Sequence, residues 1–176
     1  MNASTNNAVR IPMLFLDLDG TFADFDVGFL QRFGCWPSAV KKQEKWDKIK
    51  SVGNFFQMLK PLPGALEFYS QIRHIKHAFL TGCPAEDCHA AALQKHAWVR
   101  ATLCKETLVI PIPGSRYKPM VMQNLGDVII DDRKDVCDLW EAAGGVAIHF
   151  KGKYDYALER LHTIYGKDAF QVAAVA

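Results

Sequence analysis

The sequence predicts an α/β fold: a mainly parallel sheet flanked by helices, with a small helical insert after the first strand. Two observations predict it. From residue 63 onward, short apolar runs alternate with segments of helical period. Three apolar runs end in polar residues suited to chemistry, namely Asp17/Asp19, Thr81 and Asp131/Asp132. In open parallel sheets, sites gather outside the carboxyl ends of the strands.

The elements follow in order. Residues 1–10 read as a flexible lead. Pro12–Leu16 is an apolar run that ends abruptly in Asp17-Leu-Asp19-Gly20-Thr21, a buried strand feeding a loop. Phe25, Phe29, Leu30 and Phe33 space a helix over 24–34. Residues 35–60 change texture. Pro37 and Ser38 open a lysine-rich stretch holding Trp46 and Ile49, then Asn54-Phe55-Phe56, and Pro61-Leu-Pro63-Gly64 closes it. This reads as the helical insert, a cap beside a core domain formed by 11–34 and 61–168.

Beyond Pro63, residues 64–74 predict a helix and Lys76–Leu80 a strand ending in Thr81-Gly82. Pro84, Glu86 and Asp87 open a helix over 84–97. Leu108–Ile112 is a strand, Lys118–Asn124 a short helix, and Val128–Ile130 a buried strand ending in Asp131-Asp132. Lys134–Ala143 is a helix stopped by Gly144-Gly145. Val146–Phe150 is the last strand, Tyr154–Tyr165 the last helix, and 169–176 a flexible tail.

Composition narrows the function classes. With 176 residues, the chain suits one domain carrying an insert. Its 21 basic and 19 acidic residues leave a formal charge of +2, too balanced to argue for nucleic acid as a partner. A small anionic substrate needs only local positive charge and stays open. The five cysteines show no C-x-x-C pair, which argues against a zinc knuckle and for a reducing compartment. The first twelve residues lack the apolar stretch of a signal peptide, and no run approaches a membrane span. A soluble, cytoplasmic protein with no membrane partner is the expectation.

Asp17 and Asp19 alone are ambiguous, because Asp also caps helices and Asp-Gly also makes turns. The Asp131-Asp132 pair shifts the balance, since adjacent buried acids repel unless a cation or lysine lies between them. Mg²⁺ takes oxygen ligands and keeps some waters. Asp17, the backbone carbonyl of Asp19, and Asp131 or Asp132 are the metal candidates.

The segment FLDLDGTFADF resembles motif I of the haloacid dehalogenase-like (HAD) superfamily, whose phosphatases carry D-x-D-G-(T/V). Thr81 in FLTG, Lys118 in SRYK and Asp131-Asp132 in VIIDDR resemble its motifs II, III and IV, in the expected order. A Rossmann-like HAD fold is thereby implied. A closer resemblance is to the 5'(3')-deoxyribonucleotidase family, through Asp19-Gly20…Ala23-Asp24-Phe25, Asn54-Phe55-Phe56, Pro61–Ala65, Lys95–Val99 and Ile130–Arg133.

That resemblance implies an Mg²⁺-dependent phosphomonoesterase acting on deoxyribonucleoside monophosphates. Asp17 would be the nucleophile forming an aspartyl-phosphate, and Asp19 the general acid and base. Thr81, the Gly82 amide and Lys118 would hold phosphate oxygens, and Phe56 would contact the base. Family members are often dimers, so a homodimer is a further expectation.

Plainer readings stand beside these. Lys118 alone reads as a solvated lysine, Thr81 as a turn residue, and Asp135 as a helix-start acid. Phe55 reads as cap core, and Trp46 stays open. One departure is plain: where the family commonly has Thr-Ser-Pro, this chain has Thr81-Gly82-Cys83-Pro84, which removes a hydroxyl at 82. The competing functions are a phosphatase for another small phosphomonoester or a nucleic-acid phosphate end, and a phosphate- or nucleotide-binding module without turnover.

Overall fold

The computed structural model describes residues 10–167 and 169–170. Its five strands are β1 (Leu14–Leu16), β2 (His77–Cys83), β3 (Val109–Pro113), β4 (Val128–Asp131) and β5 (Val146–His149). They form one parallel sheet in the order β3-β2-β1-β4-β5. The chain runs from β1 to β2 and β3 on one side, then crosses to β4 and β5 on the other. The direction of winding therefore reverses between β1 and β4, and the crevice at their carboxyl ends is where such sheets bind ligands. β1 and β4 are buried at every residue, as expected of central strands covered on both faces.

Among the described residues six helices complete the α/β architecture: α1 (Phe25–Phe33), α2 (Lys42–Val52), α3 (Ala65–Ile72), α4 (Cys88–Thr102), α5 (Lys134–Ala142) and α6 (Tyr154–Tyr165). Asp24 caps α1 by accepting from the Val27 amide at 3.2 Å, and Gly34 ends it in the left-handed region at φ +71°. α2 is lysine-rich and buries only Ile49, with Trp46 half-buried beside it. Together with short 3₁₀ turns at Pro37–Ala39 and Phe56–Met58, it forms the helical insertion after the first strand. This arrangement is consistent with a HAD-like Rossmann fold.

Two apolar clusters lie on opposite faces of the sheet. One gathers Leu16, Phe79 and Ile130 with the aromatic residues of the insert; the other gathers Phe15, Leu80 and Ile129 with Trp140 of α5. Alternation along the strands explains the split, because successive side chains face opposite ways. The insert packs through Phe55 against Phe25, Phe29 and Phe33 of α1, with ring centroids 4.6 Å apart for Phe29 and Phe33 and 5.4 Å for Phe25 and Phe55. Phe55 is buried in this cluster. Trp98 of α4 anchors it by donating to the Leu59 carbonyl at 2.7 Å.

Several boundaries differ from expectation. β2 runs on through Thr81 and Gly82 to Cys83, because β3 continues to pair with it there. α4 starts at Cys88 after a 3₁₀ turn and extends to Thr102. The short helix expected at 118–124 is a 3₁₀ turn over Ser115–Val121, so Lys118 lies inside it. Most of the lead (1–9) and of the tail (171–176) falls outside the described residues. Arg10, read as part of the lead, pairs with Asp127 at 2.5 Å. Phe170, read as part of the tail, packs edge-on against His162 at 4.2 Å.

Candidate active site

Strand alternation assembles the site. Phe15 and Ile129 belong to one core face, and two residues further along their strands come Asp17 and Asp131. Asp17, Asp131 and Asp132 each offer a carboxylate oxygen within 4.8 Å of the others, the one such group of metal-competent side chains among the described residues. Gly20 permits this closeness: a Cβ there would fall 2.5 Å from Asp132 Oδ2, and its φ of +79° disfavours any side chain.

Lys118 reaches the same cluster from the 3₁₀ turn. Its ammonium donates to Asp17 and, at 2.6 Å, to Asp131, with 1% of the side chain exposed. Burial would push its pKa down, but the carboxylates of Asp17 and Asp131 hold it above the ordinary lysine value. One ammonium does not neutralise three acids. Burial and then the charge of Asp17 push Asp131 up to about 6, and the same two causes with Asp131 added push Asp132 up to about 8. Asp131 also accepts from the Arg133 amide at 2.9 Å, whereas the Asp132 carboxylate receives no donor from another described residue's backbone or base.

The residues fit a hard divalent cation. The donors are all carboxylate oxygen, they converge, and their excess negative charge is what such an ion would offset. Asp19 is expected to offer the metal its backbone carbonyl; its carboxylate lies outside the cluster and is paired with Lys95. Its side chain keeps 22% exposure, yet protein atoms crowd the carboxylate. That desolvation raises its pKa, Lys95 opposes the rise, and the charge of Asp17 adds to it. Asp19 Oδ1 is buried without a partner among the described residues and can engage a bound group.

Lys95 is the functional candidate that sequence reasoning passed over. It lies in the middle of α4, 1% exposed, and donates to Asp19, to Thr81 Oγ1 at 3.0 Å and to the Gly82 carbonyl at 2.6 Å. Because the ammonium occupies an acceptor site on Thr81 Oγ1, the Thr81 hydroxyl proton is left to donate elsewhere. The signal was present in the spacing. Ala91, Lys95, Trp98 and Val99 form one helical stripe, and the other three are core residues. A lysine on a buried face needs carboxylate or carbonyl partners.

The structure brings Asp17, Asp131, Asp132 and Lys118 together, and Lys95 joins Asp19, Thr81 and Gly82 in a second group. Phe56 borders this group. It lines a cleft of about 320 Å³ between the insert and α4, but it is only 3% exposed and Lys95 Nζ lies 4.5 Å from its ring centroid. Its amide donates to Gln94 Oε1 at 3.0 Å. The half-exposed aromatic wall of the cleft is Trp46.

No protein-family model matches the chain. It is 27% identical over 190 residues to the mitochondrial 5'(3')-deoxyribonucleotidase of Mus musculus, covering 91% of this chain and 83% of that protein. It is 29% identical over 151 residues to the mitochondrial 5'(3')-deoxyribonucleotidase of Homo sapiens, covering 72% of this chain and 64% of that one. The human cytosolic-type enzyme matches at 29% over the same length, 72% of this chain and 73% of its own. Among solved structures, a HAD-family hydrolase from Deinococcus radiodurans R1, with bound phosphate and sodium, aligns over 86% of this chain and 88% of its own at a TM-score of 0.47 and 12% identity. No described helix is long and apolar enough to cross a membrane. Sheet order and the helical insertion after β1 are consistent with a HAD-like Rossmann fold, and in sequence the chain is distantly similar to the 5'(3')-deoxyribonucleotidases.

Proposed function

We propose that the chain is an Mg²⁺-dependent phosphomonoesterase that hydrolyses deoxyribonucleoside monophosphates through an aspartyl-phosphate on Asp17. The observation that carries the reading is the convergence of Asp17, Asp131 and Asp132 around buried Lys118 at the switch point of the sheet. Asp17, Asp131 and Asp132 would hold the metal, which supplies charge neutralisation where one anion must approach another.

In the first half-reaction an Asp17 oxygen bonds to phosphorus while the bond from phosphorus to the leaving alcohol breaks. Asp19 gives its proton to the departing oxygen. Burial raises the pKa of Asp19, which favours the protonated form this step needs, and Lys95 opposes the rise. In the second half, Asp19 takes a proton from water as the water oxygen attacks phosphorus. Inorganic phosphate leaves and Asp17 returns as carboxylate. Thr81 and Lys118 supply donors to the charge that spreads over the phosphoryl oxygens. The deoxyribonucleotide assignment is supported by the similarity to enzymes of that name and by a cleft lined by Trp46 and Phe56, the latter with its ring centroid 4.5 Å from Lys95 Nζ.

The test is phosphate release from deoxy- and ribonucleoside monophosphates, sugar phosphates and 3'-phosphorylated oligonucleotides, with Mg²⁺ and with chelator. Release from deoxyribonucleoside monophosphates only when Mg²⁺ is present is expected. Release from none of the panel overturns the enzyme reading, and release from sugar phosphates alone overturns the substrate.

A further inference from the structure

Gly82 follows Thr81 in β2, and nothing in its backbone requires glycine, since its φ is not among the positive ones. Space does require it. A Cβ at 82 would lie 2.2 Å from Ser115 Oγ, 3.0 Å from Ser115 N and 3.1 Å from its Cα. The turn after β3 rests on the strand here, and the Ser115 hydroxyl fills the volume of the missing side chain. Ser115 opens the 3₁₀ turn in which Lys118 stands three residues later. Side chains three apart eclipse in a 3₁₀ helix, so Ser115 and Lys118 project from the same face.

That face is the one carrying Asp17. Leu80, Phe15 and Ile129 share a core cluster, and two residues beyond them come Gly82, Asp17 and Asp131. Phe15 pairs with Ala78, so extending the register sets Asp17 level with Leu80 and Gly82 about 6.6 Å further toward the carboxyl edge. A phosphoryl group on Asp17 would project in that direction. The Ser115 hydroxyl is half-buried and bonds to no described residue, so its proton is uncommitted. Neighbouring Arg116 is exposed and committed to Tyr117, its Nη2 donating to the phenol oxygen at 2.5 Å.

We propose that the Ser115 hydroxyl donates to a non-bridging oxygen of the phosphoryl group handled at Asp17, and that Gly82 is the residue that makes room for it. The hydroxyl missing from β2 is thus delivered from the adjoining turn. This rests on the phosphomonoesterase reading and adds a phosphate-binding residue to it.

The experiment uses the full chain with Mg²⁺ and measures kcat, KM, inhibition by orthophosphate and thermal midpoint. Ser115→Ala is expected to lower kcat/KM and to weaken orthophosphate inhibition by about 10- to 100-fold, the worth of one hydrogen bond to a charged group. Its thermal midpoint is expected to match the wild type, because no internal bond is lost. Ser115→Cys, which keeps the volume without a strong donor, is expected to behave alike and serves if the Ala variant folds poorly. Gly82→Ser alone should lose stability and activity by clashing with Ser115, and Gly82→Ser with Ser115→Gly should recover part of both. Ser115→Ala and Ser115→Cys within twofold of wild type in kcat/KM and orthophosphate inhibition would overturn the proposal while leaving the phosphatase reading intact. If the wild type hydrolyses no phosphomonoester, that reading fails by itself. Calorimetric binding of orthophosphate then decides: weaker binding to Ser115→Ala supports the proposal, and equal binding, or none to the wild type, overturns it.

Discussion

Lys95 of α4 clamps Asp19 to the end of β2, its ammonium shared among the Asp19 carboxylate, Thr81 Oγ1 and the Gly82 carbonyl. The lysine stem is buried beside Trp98, so the clamp cannot swing into water. Lys95→Met keeps the volume of the stem and removes the charge. Asp19 would then face burial and Asp17 without its main opposing influence. The expected outcome is a kcat lower by about 100-fold or more, the usual scale of a misplaced proton-transfer group, with a smaller change in KM. Steady-state kinetics on one deoxyribonucleoside monophosphate measures the split, and kcat within twofold of wild type would remove Lys95 from the machinery.

Asp17→Asn is expected to abolish turnover and leave the fold intact. Lys118 retains Asp131 at 2.6 Å, so its charge stays paired in the variant. Phosphate release at or near background, with a circular dichroism melt within a few degrees of wild type, is the expected pair of results. Normal turnover would exclude Asp17 as the nucleophile.

Lys118→Met tests the charge balance of the cluster by a route independent of turnover. Without the ammonium, Asp17, Asp131 and Asp132 confront one another at short range. Removing one partner from a buried ion pair costs about 3–5 kcal/mol. Mg²⁺ offsets the same repulsion, so the variant should regain more thermal midpoint from added Mg²⁺ than the wild type does. Thermal melts with Mg²⁺ and with chelator measure this. Equal Mg²⁺ responses in the two proteins would contradict a metal held by these acids.

Much of this fold was legible because its signals are local. Apolar runs of strand length, bounded by Gly, Pro and acids, marked all five strands to within a few residues. Lys95 was not legible as a partner of Asp19, since 76 positions separate them and only tertiary packing joins them. The extension of β2 through Thr81-Gly82 depends on its pairing with Pro111 and Ile112, which no local pattern announces. Phe56 shows the limit in the other direction. The family resemblance implies a base contact for it, and packing against Phe25, Phe55 and Lys95 decides how much of its ring is offered.

Trp46 is the more exposed of the two aromatic residues in the cleft, and base recognition is expected to depend on it as well as on Phe56. It lines the cleft from α2, with Phe25 6.3 Å away and Lys45 Nζ 4.9 Å from its ring. Base stacking on an aromatic is worth about 1–3 kcal/mol, which corresponds to roughly 5- to 150-fold in affinity. Trp46→Ala should raise KM for nucleotides by an amount in that range and leave the hydrolysis of p-nitrophenyl phosphate nearly unchanged. A KM for nucleotides that does not move would remove Trp46 as the platform.

Asp127 immediately precedes β4 and ties together the amino-terminal edge of the sheet, at the opposite end of that strand from Asp131 and Asp132. Its buried carboxylate accepts from the amides of Met13 at 3.0 Å, Gln123 at 3.1 Å and Asn124 at 3.0 Å, and from Arg10 at 2.5 Å. Burial pushes its pKa up, but the Met13 amide, Arg10 and the Asn124 amide outweigh this and hold it below the ordinary 3.8. A depressed folded pKa contributes stability that is full above the unfolded value and is lost as pH falls through the folded one. Asp127→Ala should therefore cost about 2–4 kcal/mol near pH 7, since buried donors are left unpaired. Asp127→Asn keeps one acceptor and should cost less. The gap between wild type and Asp127→Asn should hold steady down to 3.8 and narrow below it, as the wild-type carboxylate takes up its proton. Urea unfolding across that range measures the gap, and a gap that widens on acidification would reverse the sign of the argument.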